Sequence, residues 1–480
     1  MKHIRLPIPV LLSAFILIFH ACTLDKDPDI PSGITNEDAP VFISTNLERV
    51  AEHSVSARAV LSSFGNLNIL RYGWVWSENP APTLENSRIE RESLQRDSFS
   101  MEISGLTTGK RYYIRPYVAT GSGEIYGPEK DTILIPTFQK TYEGEGIAFR
   151  QTRDGGFILL GSIYNETGTE SDVNLVKTDA AGELEWEKRF YLGSYSNLYD
   201  IQQTTDGGYI LLGLHGYTAH LVKTNAAGDI EWKKDLSEYA PGRSIVQTTD
   251  GGFFILGGYS PLGVDDVKMY LAKVSSKGDL DWERFLGGGL SIIGNSIKPT
   301  IDGGYILAGV VANAFSVGKM YLIKTDASGN VVWEKMVGNY NLNEPVNAVQ
   351  QTTDGGFILV GTSNYSMYIA KTNSTGDLQW QKRLTSFLAQ YGNAVHQTLD
   401  GGFVFSGKVA NISSDMYLAK TNATGQIEWE KSLGGPHSQD GISVLQTSDG
   451  SYIMLGSTVR AQGVEGRMYL VKMDKNGNNF

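Results

Sequence analysis

The sequence predicts an all-β chain, a small two-sheet sandwich followed by a seven-bladed β-propeller. Three observations predict it. From residue 137 onward one unit recurs seven times, each built around Thr-x-Asp-Gly-Gly-aromatic or a close variant. Each recurrence reads as four short strands, the content of a propeller blade. Residues 39–136 lack the repeat but carry short alternating runs between turn signals, an all-β pattern of its own.

Composition limits the rest. The net charge is −11, and a chain this acidic is not expected to bind nucleic acid, which needs clustered Lys and Arg. One cysteine excludes an intrachain disulfide framework and a cysteine-rich metal cluster. Glycine is in excess at 55 residues, with no third-residue period of the collagen kind.

The first element is an address. Residues 1–21 place Lys2 and Arg5 before the apolar stretch Leu6 to Phe19. That stretch is too short for a mature membrane span and reads as a signal peptide. Ala21-Cys22 ends it, and the junction resembles the lipobox of bacterial lipoproteins. The resemblance implies lipidation at Cys22, where several acyl chains would hold the protein on a membrane. Phe19 and His20 depart from the usual lipobox residues. Residues 22–38, with Asp25, Asp27, Pro28 and Asp29, read as an extended tether. That acidic cluster resembles surface-export signals of some Gram-negative lipoproteins. It points to an outer-membrane protein, lipid-anchored and facing outward.

The second element, residues 39–136, has its clearest strands at 55–60, 71–76 and 112–118. The aromatic run from Tyr72 to Trp76 offers a tryptophan as core anchor. Leu106 stands six residues before Tyr112, a spacing that resembles the tyrosine corner of fibronectin type III domains. Thr108 replaces the usual proline. The resemblance implies a fibronectin III-like sandwich whose Tyr112 phenol bonds a backbone group.

The third element, residues 137–480, carries three recurring anchors. The first is the turn aspartate: Asp154, Asp206, Asp250, Asp302, Asp354, Asp400 and Asp449. The second is a lysine: Lys177, Lys223, Lys273, Lys324, Lys371, Lys420 and Lys472. The third is Gly-x-x-x-Trp, ending at Trp186, Trp232, Trp282, Trp333, Trp380 and Trp429. The aspartates are expected to serve turn chemistry, since Asp accepts local N–H groups. The lysines are expected to bury their stems between blades and set their heads on a rim or a ring face. The tryptophans are expected to pack adjacent blades together.

The chain stops before a seventh tryptophan, so the last blade lacks its fourth strand. Thr137 to Tyr142 resembles a fourth strand, with Phe138 in the tryptophan place. This N-terminal strand is predicted to complete the seventh blade and close the ring, which removes open edges.

The stretch Thr178 to Trp186 resembles the tryptophan-docking motif of pyrroloquinoline-quinone enzymes, Asp-x-x-Thr-Gly-x-x-x-Trp. Asp179 sits one residue too close to Gly182 for a full match. Outer-membrane lipoproteins that scaffold membrane-protein assembly share the motif without the cofactor. The whole 137–480 region is similar to bacterial propellers with T-x-DGG-[FY] repeats. No disulfide pair and no acidic cluster for calcium accompany the motif here, and the reading carries no cofactor and no metal. The sequence shows no Gly-x-x-x-x-Gly-Lys-Ser/Thr, His-Glu-x-x-His or Gly-x-Ser-x-Gly. The chain is therefore expected not to be an enzyme. His215 and His220 flank a short loop where they could touch a ligand, and such a pair reads first as polar surface.

The loops after the second and fourth strands vary and share one face, where function usually sits. They carry Tyr195, Tyr199, Tyr239, Tyr340 and Tyr391, beside further aromatics such as Tyr217. Arg243, Asn295, Asn347 and Asn393 occupy equivalent positions at the mouth of the inner strands. Together they would form a polar funnel with aromatic walls, suited to a glycan or a protein. The expected function is a cell-envelope binding platform. A scaffold within an outer-membrane assembly is the second reading, and a quinoprotein-like oxidoreductase the third.

Overall fold

The computed structural model describes residues 39–133 and 137–479, apart from 52, 93, 95, 109, 165–170, 193–195, 262–266, 288–290, 314–315, 339–344, 385–388, 411–413, 435–436 and 459–465. Cys22, the expected signal peptide and the expected tether lie outside the described residues. Two compact units divide after Leu134. Among the described residues no helix is long and apolar enough to cross a membrane.

The first unit has two antiparallel sheets. Val41–Ala51, Ser54–Ser63 and Ser98–Ile103 form one. Ser87–Glu92, Ile69–Ser77, Arg111–Thr120, Gly123–Tyr126 and Lys130–Ile133 form the other. Trp74 is fully buried in the core and packs edge-on against Phe99 at 5.8 Å. It is the core tryptophan, while Trp76 packs at the margin of the same cluster. The Tyr112 hydroxyl accepts the Thr107 N–H at 3.1 Å, which ties the corner to its strand.

The second unit contains seven four-stranded antiparallel sheets. The first six each use four consecutive strands. They span 145–191, 196–235, 242–286, 291–337, 346–384 and 389–433. The seventh takes Gln439–Gln446, Tyr452–Thr458 and Arg467–Met473 from the chain's end. Its fourth strand is Phe138–Glu143, paired antiparallel with Arg467–Met473 so that Phe138 faces Lys472 and Glu143 faces Arg467. The first strand of each sheet neighbours the first strand of the next, and that of the seventh neighbours that of the first.

Sheet five shows why the repeat folds as it does. Gln351 ends the first strand, and the Asp354 carboxylate accepts the Thr352 hydroxyl at 2.5 Å and the Gly356 N–H at 3.0 Å. This side-chain cap ties the hairpin that Asp and Gly favour. A Cβ on Gly356 would lie 2.5 Å from the Lys371 ammonium, so the second glycine leaves room for that group. Lys371 donates to Asp354 at 2.9 Å and to the Thr372 carbonyl at 2.8 Å.

The same lysine–aspartate pair stands in all seven sheets: 177 with 154, 223 with 206, 273 with 250, 324 with 302, 371 with 354, 420 with 400 and 472 with 449. This corrects the expectation for the lysines. Their heads are not set out on a rim. Each folds back inside its own sheet, over the turn, with side-chain exposure of only 2–11%. A buried ammonium needs a counter-charge and acceptors, and the turn supplies both. The aspartates therefore shape the turn and neutralise the lysine at once.

The pairing has a pH consequence. Burial alone would raise the Asp354 carboxyl. The Thr352 hydroxyl, the Lys371 ammonium and the Gly356 N–H outweigh it and hold the group at about 2 against an ordinary 3.8. Asp154, Asp250, Asp302 and Asp400 are likewise held at about 2. A carboxyl depressed in the folded state stabilises it above the unfolded value and loses that contribution as pH falls through the folded value. Stability is thus expected to drop between about pH 4 and about pH 2. The aspartates are more than a third exposed, so each pair contributes on the order of 1 kcal/mol after screening. Urea midpoints followed by tryptophan fluorescence across that window should show the drop. Lys371→Met should flatten the slope, because Asp354 loses its counter-ion.

Neighbouring sheets are keyed by the tryptophans. A Cβ on Gly376 of sheet five would lie 2.7 Å from the Trp333 ring of sheet four. The same fit holds for Gly228 on Trp186, Gly278 on Trp232, Gly329 on Trp282, Gly425 on Trp380 and Gly477 on Trp429. At the junction of sheets seven and one, Gly182 meets Phe138 instead, also at 2.7 Å. A second key is a glutamine ending the first strand. Gln203, Gln247, Gln351, Gln397 and Gln446 each accept an N–H from the turn of the preceding sheet, at 2.7–3.0 Å.

Candidate functional site: the axial cavity

The first strands of all seven sheets line one cavity of about 390 Å3. Because the repeat is regular, its wall can be read by phase. Seven residues before the turn aspartate stand Ile147, Tyr199, Arg243, Asn295, Asn347, Asn393 and Ile442, and all seven line the cavity. Four residues before it stand Arg150, Gln202, Val246, Lys298, Gln350, His396 and Leu445.

The asparagines act first as clamps between sheets. Asn295 Nδ2 donates to the Val346 carbonyl at 2.8 Å, and Asn347 Nδ2 to the Gly392 carbonyl at 2.7 Å. Asn393 Nδ2 donates to the Gly441 carbonyl at 3.0 Å and to Asp440 at 2.8 Å. Arg243 donates to Asn295 Oδ1 at 2.9 Å. Their amide donors are engaged by the ring itself.

Deeper in the cavity, Asp200 stands where other sheets carry alanine or serine. It accepts Arg150 at 2.5 Å, and the Ser244 hydroxyl and the Ile245 N–H at 3.1 Å each, joining sheets one, two and three. Lys298 lies across the cavity. Burial and the nearby Arg150 push its ammonium down to about 8, against a pull upward from Asp200. Burial, then Lys298, pushes the His396 imidazole down as well.

The nine residues expected to bind a ligand do not gather at one place. Tyr199, Arg243, Asn295, Asn347 and Asn393 share the axial cavity. Tyr239 lines a second pocket of about 420 Å3 on sheet two, stacked on Tyr217 at 6.3 Å. It adopts φ +62°, a left-handed conformation that strains a bulky residue. Tyr391 lies beneath Lys408, whose ammonium is 5.3 Å from its ring centre. Tyr195 and Tyr340 lie outside the described residues. Arg150, Asp200, Lys298 and His396 were missed by sequence reasoning. The signal that could have found them is their departure from the repeat.

The second pocket also corrects the reading of its histidines. His220 Nδ1 and Asp235 Oδ1 lie 2.5 Å apart, and His215 Nδ1 is 3.5 Å from Asp235 Oδ2. Their ligand atoms lie within 4.8 Å of one another, so this set could hold a metal ion. His220 Nε2 is buried with no partner. Metal on Nδ1 would force a proton onto that nitrogen with nothing to accept it, against the usual support of a metal-bound imidazole. The geometry favours a hydrogen-bonded His–Asp cluster.

The profile of the family described as outer membrane protein assembly factor BamB matches residues 273–479. No curated protein matches the chain. Solved structures similar to it include a puromycin hydrolase, 13% identical over 69% of this chain and 52% of that one, with TM-score 0.47. Another is YCF48 bound to D1 peptide, 7% identical over 70% of this chain and 94% of that one, with TM-score 0.41. A third is prolyl oligopeptidase B from Galerina marginata, 12% identical over 71% of this chain and 49% of that one, with TM-score 0.41. The chain spans about half the length of the two hydrolytic proteins. The second unit has the sheet arrangement of a β-propeller, and its residues 273–479 are similar to the BamB family. The expectation that the chain is not an enzyme is not kept, since a hydrolase and an oligopeptidase stand among these neighbours.

Proposed function

We propose that the chain is a cell-envelope interaction platform: a seven-bladed ring, closed by Phe138–Glu143, that receives a protein partner over its axial cavity. One observation carries the reading: seven first strands converge on one cavity whose charged residues do not recur through the repeat. In a repeated unit, residues that recur serve packing, while residues that depart are free to serve binding. The BamB match over 273–479 supports an assembly context at the outer membrane. Lipidation at Cys22 would hold the platform there, with residues 39–136 as a fibronectin III-like spacer. A carbohydrate ligand is the second reading. It rests on the stacked Tyr217–Tyr239 pair, whose planes suit a sugar ring.

The full acylated chain, captured from membranes after cross-linking, tests the proposal. An envelope protein retained by the wild type and lost with Arg243→Glu supports it. A hit on a glycan array that disappears with Tyr217→Ala, without any retained protein, replaces it with the carbohydrate reading.

A further inference from the structure

Three cationic side chains and one anionic side chain line the axial cavity: Arg150, Arg243 and Lys298 against Asp200. The surplus is local, because the chain as a whole carries −11. It is also uneven. Asp200 is committed to Arg150, and two further donors from sheet three fill its second oxygen. Arg243 is tied only to a neutral amide oxygen. The Lys298 ammonium makes no hydrogen bond or close ion pair among the described residues, and Asp200 acts on it only through space.

That isolation runs against the habit of this chain. Seven lysines of the ring are buried, and each has an aspartate, whereas Lys298 is partly exposed to the cavity and has none. At the Lys298 phase the other sheets place Arg150, Gln202, Val246, Gln350, His396 and Leu445, so the repeat demands no cation there. An unpaired ammonium within a ring costs stability, and packing does not explain it. It can be explained by a counter-charge that arrives from outside.

We propose that the axial cavity binds a small oxyanion, a carboxylate or phosphate carried by a small molecule, with Lys298 as its principal counter-ion and Arg243 as its gate. This rests on the reading of the cavity as the chain's binding site and names the chemistry it takes. The volume of about 390 Å3 lies within the range of small-molecule sites. A ring of low-dielectric walls focuses the cationic field toward the axis, although the outer surface is acidic. Gln350 and Ser443 line the same cavity and add polar groups that can orient the ligand.

The charged or titratable groups around Lys298 come from four other sheets: Arg150, Tyr199, Asp200, Arg243 and His396. Sheets five and seven contribute none to the lining. With its ammonium held at about 8, Lys298 is mostly charged at neutral pH and neutral well above it. Bound anion would favour the charged form.

The test is calorimetric titration of the full chain at low salt with citrate, inorganic phosphate and neutral glucose. Citrate or phosphate should bind with one site, and glucose should not. Lys298→Met should weaken the anion by about tenfold or more, as expected for loss of one charge-assisted contact. Lys277→Ala, an exposed turn lysine, should leave it unchanged. Affinity should also fall between about pH 7 and about pH 9.5. Should Lys298→Met fail to fold, Arg243→Gln and the pH series on the wild type decide the matter. Equal binding by wild type and Lys298→Met, or no binding of either anion, overturns the proposal. Neither result touches partner capture by the membrane experiment, so the two readings fail separately.

Discussion

Deleting Phe138–Glu143 is expected to abolish the cooperative unfolding of the second unit and to leave an aggregating chain. The strand supplies the fourth member of sheet seven through six successive residue pairs with Arg467–Lys472. It also performs the docking between sheets seven and one. Phe138 receives Gly182, Tyr142 donates to the Gly182 carbonyl at 2.5 Å, and Lys140 pairs with Glu183 at 2.6 Å. Its removal would uncover the edge strand Arg467–Met473 and the apolar cluster that holds Phe149, Phe157 and Leu470. An uncovered, partly apolar edge is a template for association. Two aromatic side chains at about 1.5–3 kcal/mol each, with several ladder bonds at about 1 kcal/mol each, approach the whole margin of a typical domain. Calorimetry should show the transition of the second unit in the full chain and its loss in the deletion, while the first unit, with its own core, keeps its transition.

The second large effect is expected at a docking glycine. Gly376→Ala meets two penalties at once. Its φ is +81°, and the new Cβ would lie 2.7 Å from the Trp333 ring. The left-handed conformation costs roughly 1–2 kcal/mol for alanine, and forced overpacking adds roughly 1–3 kcal/mol. A total of about 3 kcal/mol is expected. Gly401→Ala separates the two. It has the same φ of +81° and nothing within 4 Å of its Cβ, so only the backbone penalty remains. Guanidinium unfolding of both variants measures the difference. Equal costs would mean that the tryptophan does not key the sheets.

Much of this architecture is legible because recurrence exposes it. Seven turn aspartates, six tryptophans and one phenylalanine in a tryptophan's place define the sheets and the strand that completes the last. Tyr112 and Trp74 are likewise readable from local spacing and aromatic content. The lysine–aspartate pairs are less so. Both residues recur, but the chain between them varies with loop length, from 17 residues for Asp354 and Lys371 to 23 for Asp154 and Lys177. Only the pairing of the second and third strands brings the ammonium back over its turn. The axial site divides in the same way. Arg243 and the three asparagines share a phase and are found together. Tyr199 shares that phase and joins them, whereas Tyr239 and Tyr391 stand at other phases and do not. Asp200 departs from its phase and Lys298 stands at a phase where nothing recurs, so a search for what repeats passes over both. His215 and His220 meet Asp235 only through the register of three strands.

Closure is the claim on which the cavity depends, because only a closed ring lets seven first strands face one axis. Cysteines at Thr141 and Tyr469, residues paired across the two chain ends, test it most directly in a Cys22→Ser background. Mild oxidation of Thr141→Cys/Tyr469→Cys should give an intramolecular disulfide in the monomer and raise its thermal stability. A chain that remains reduced, or that cross-links only between molecules, would contradict the closed ring and the axial site with it.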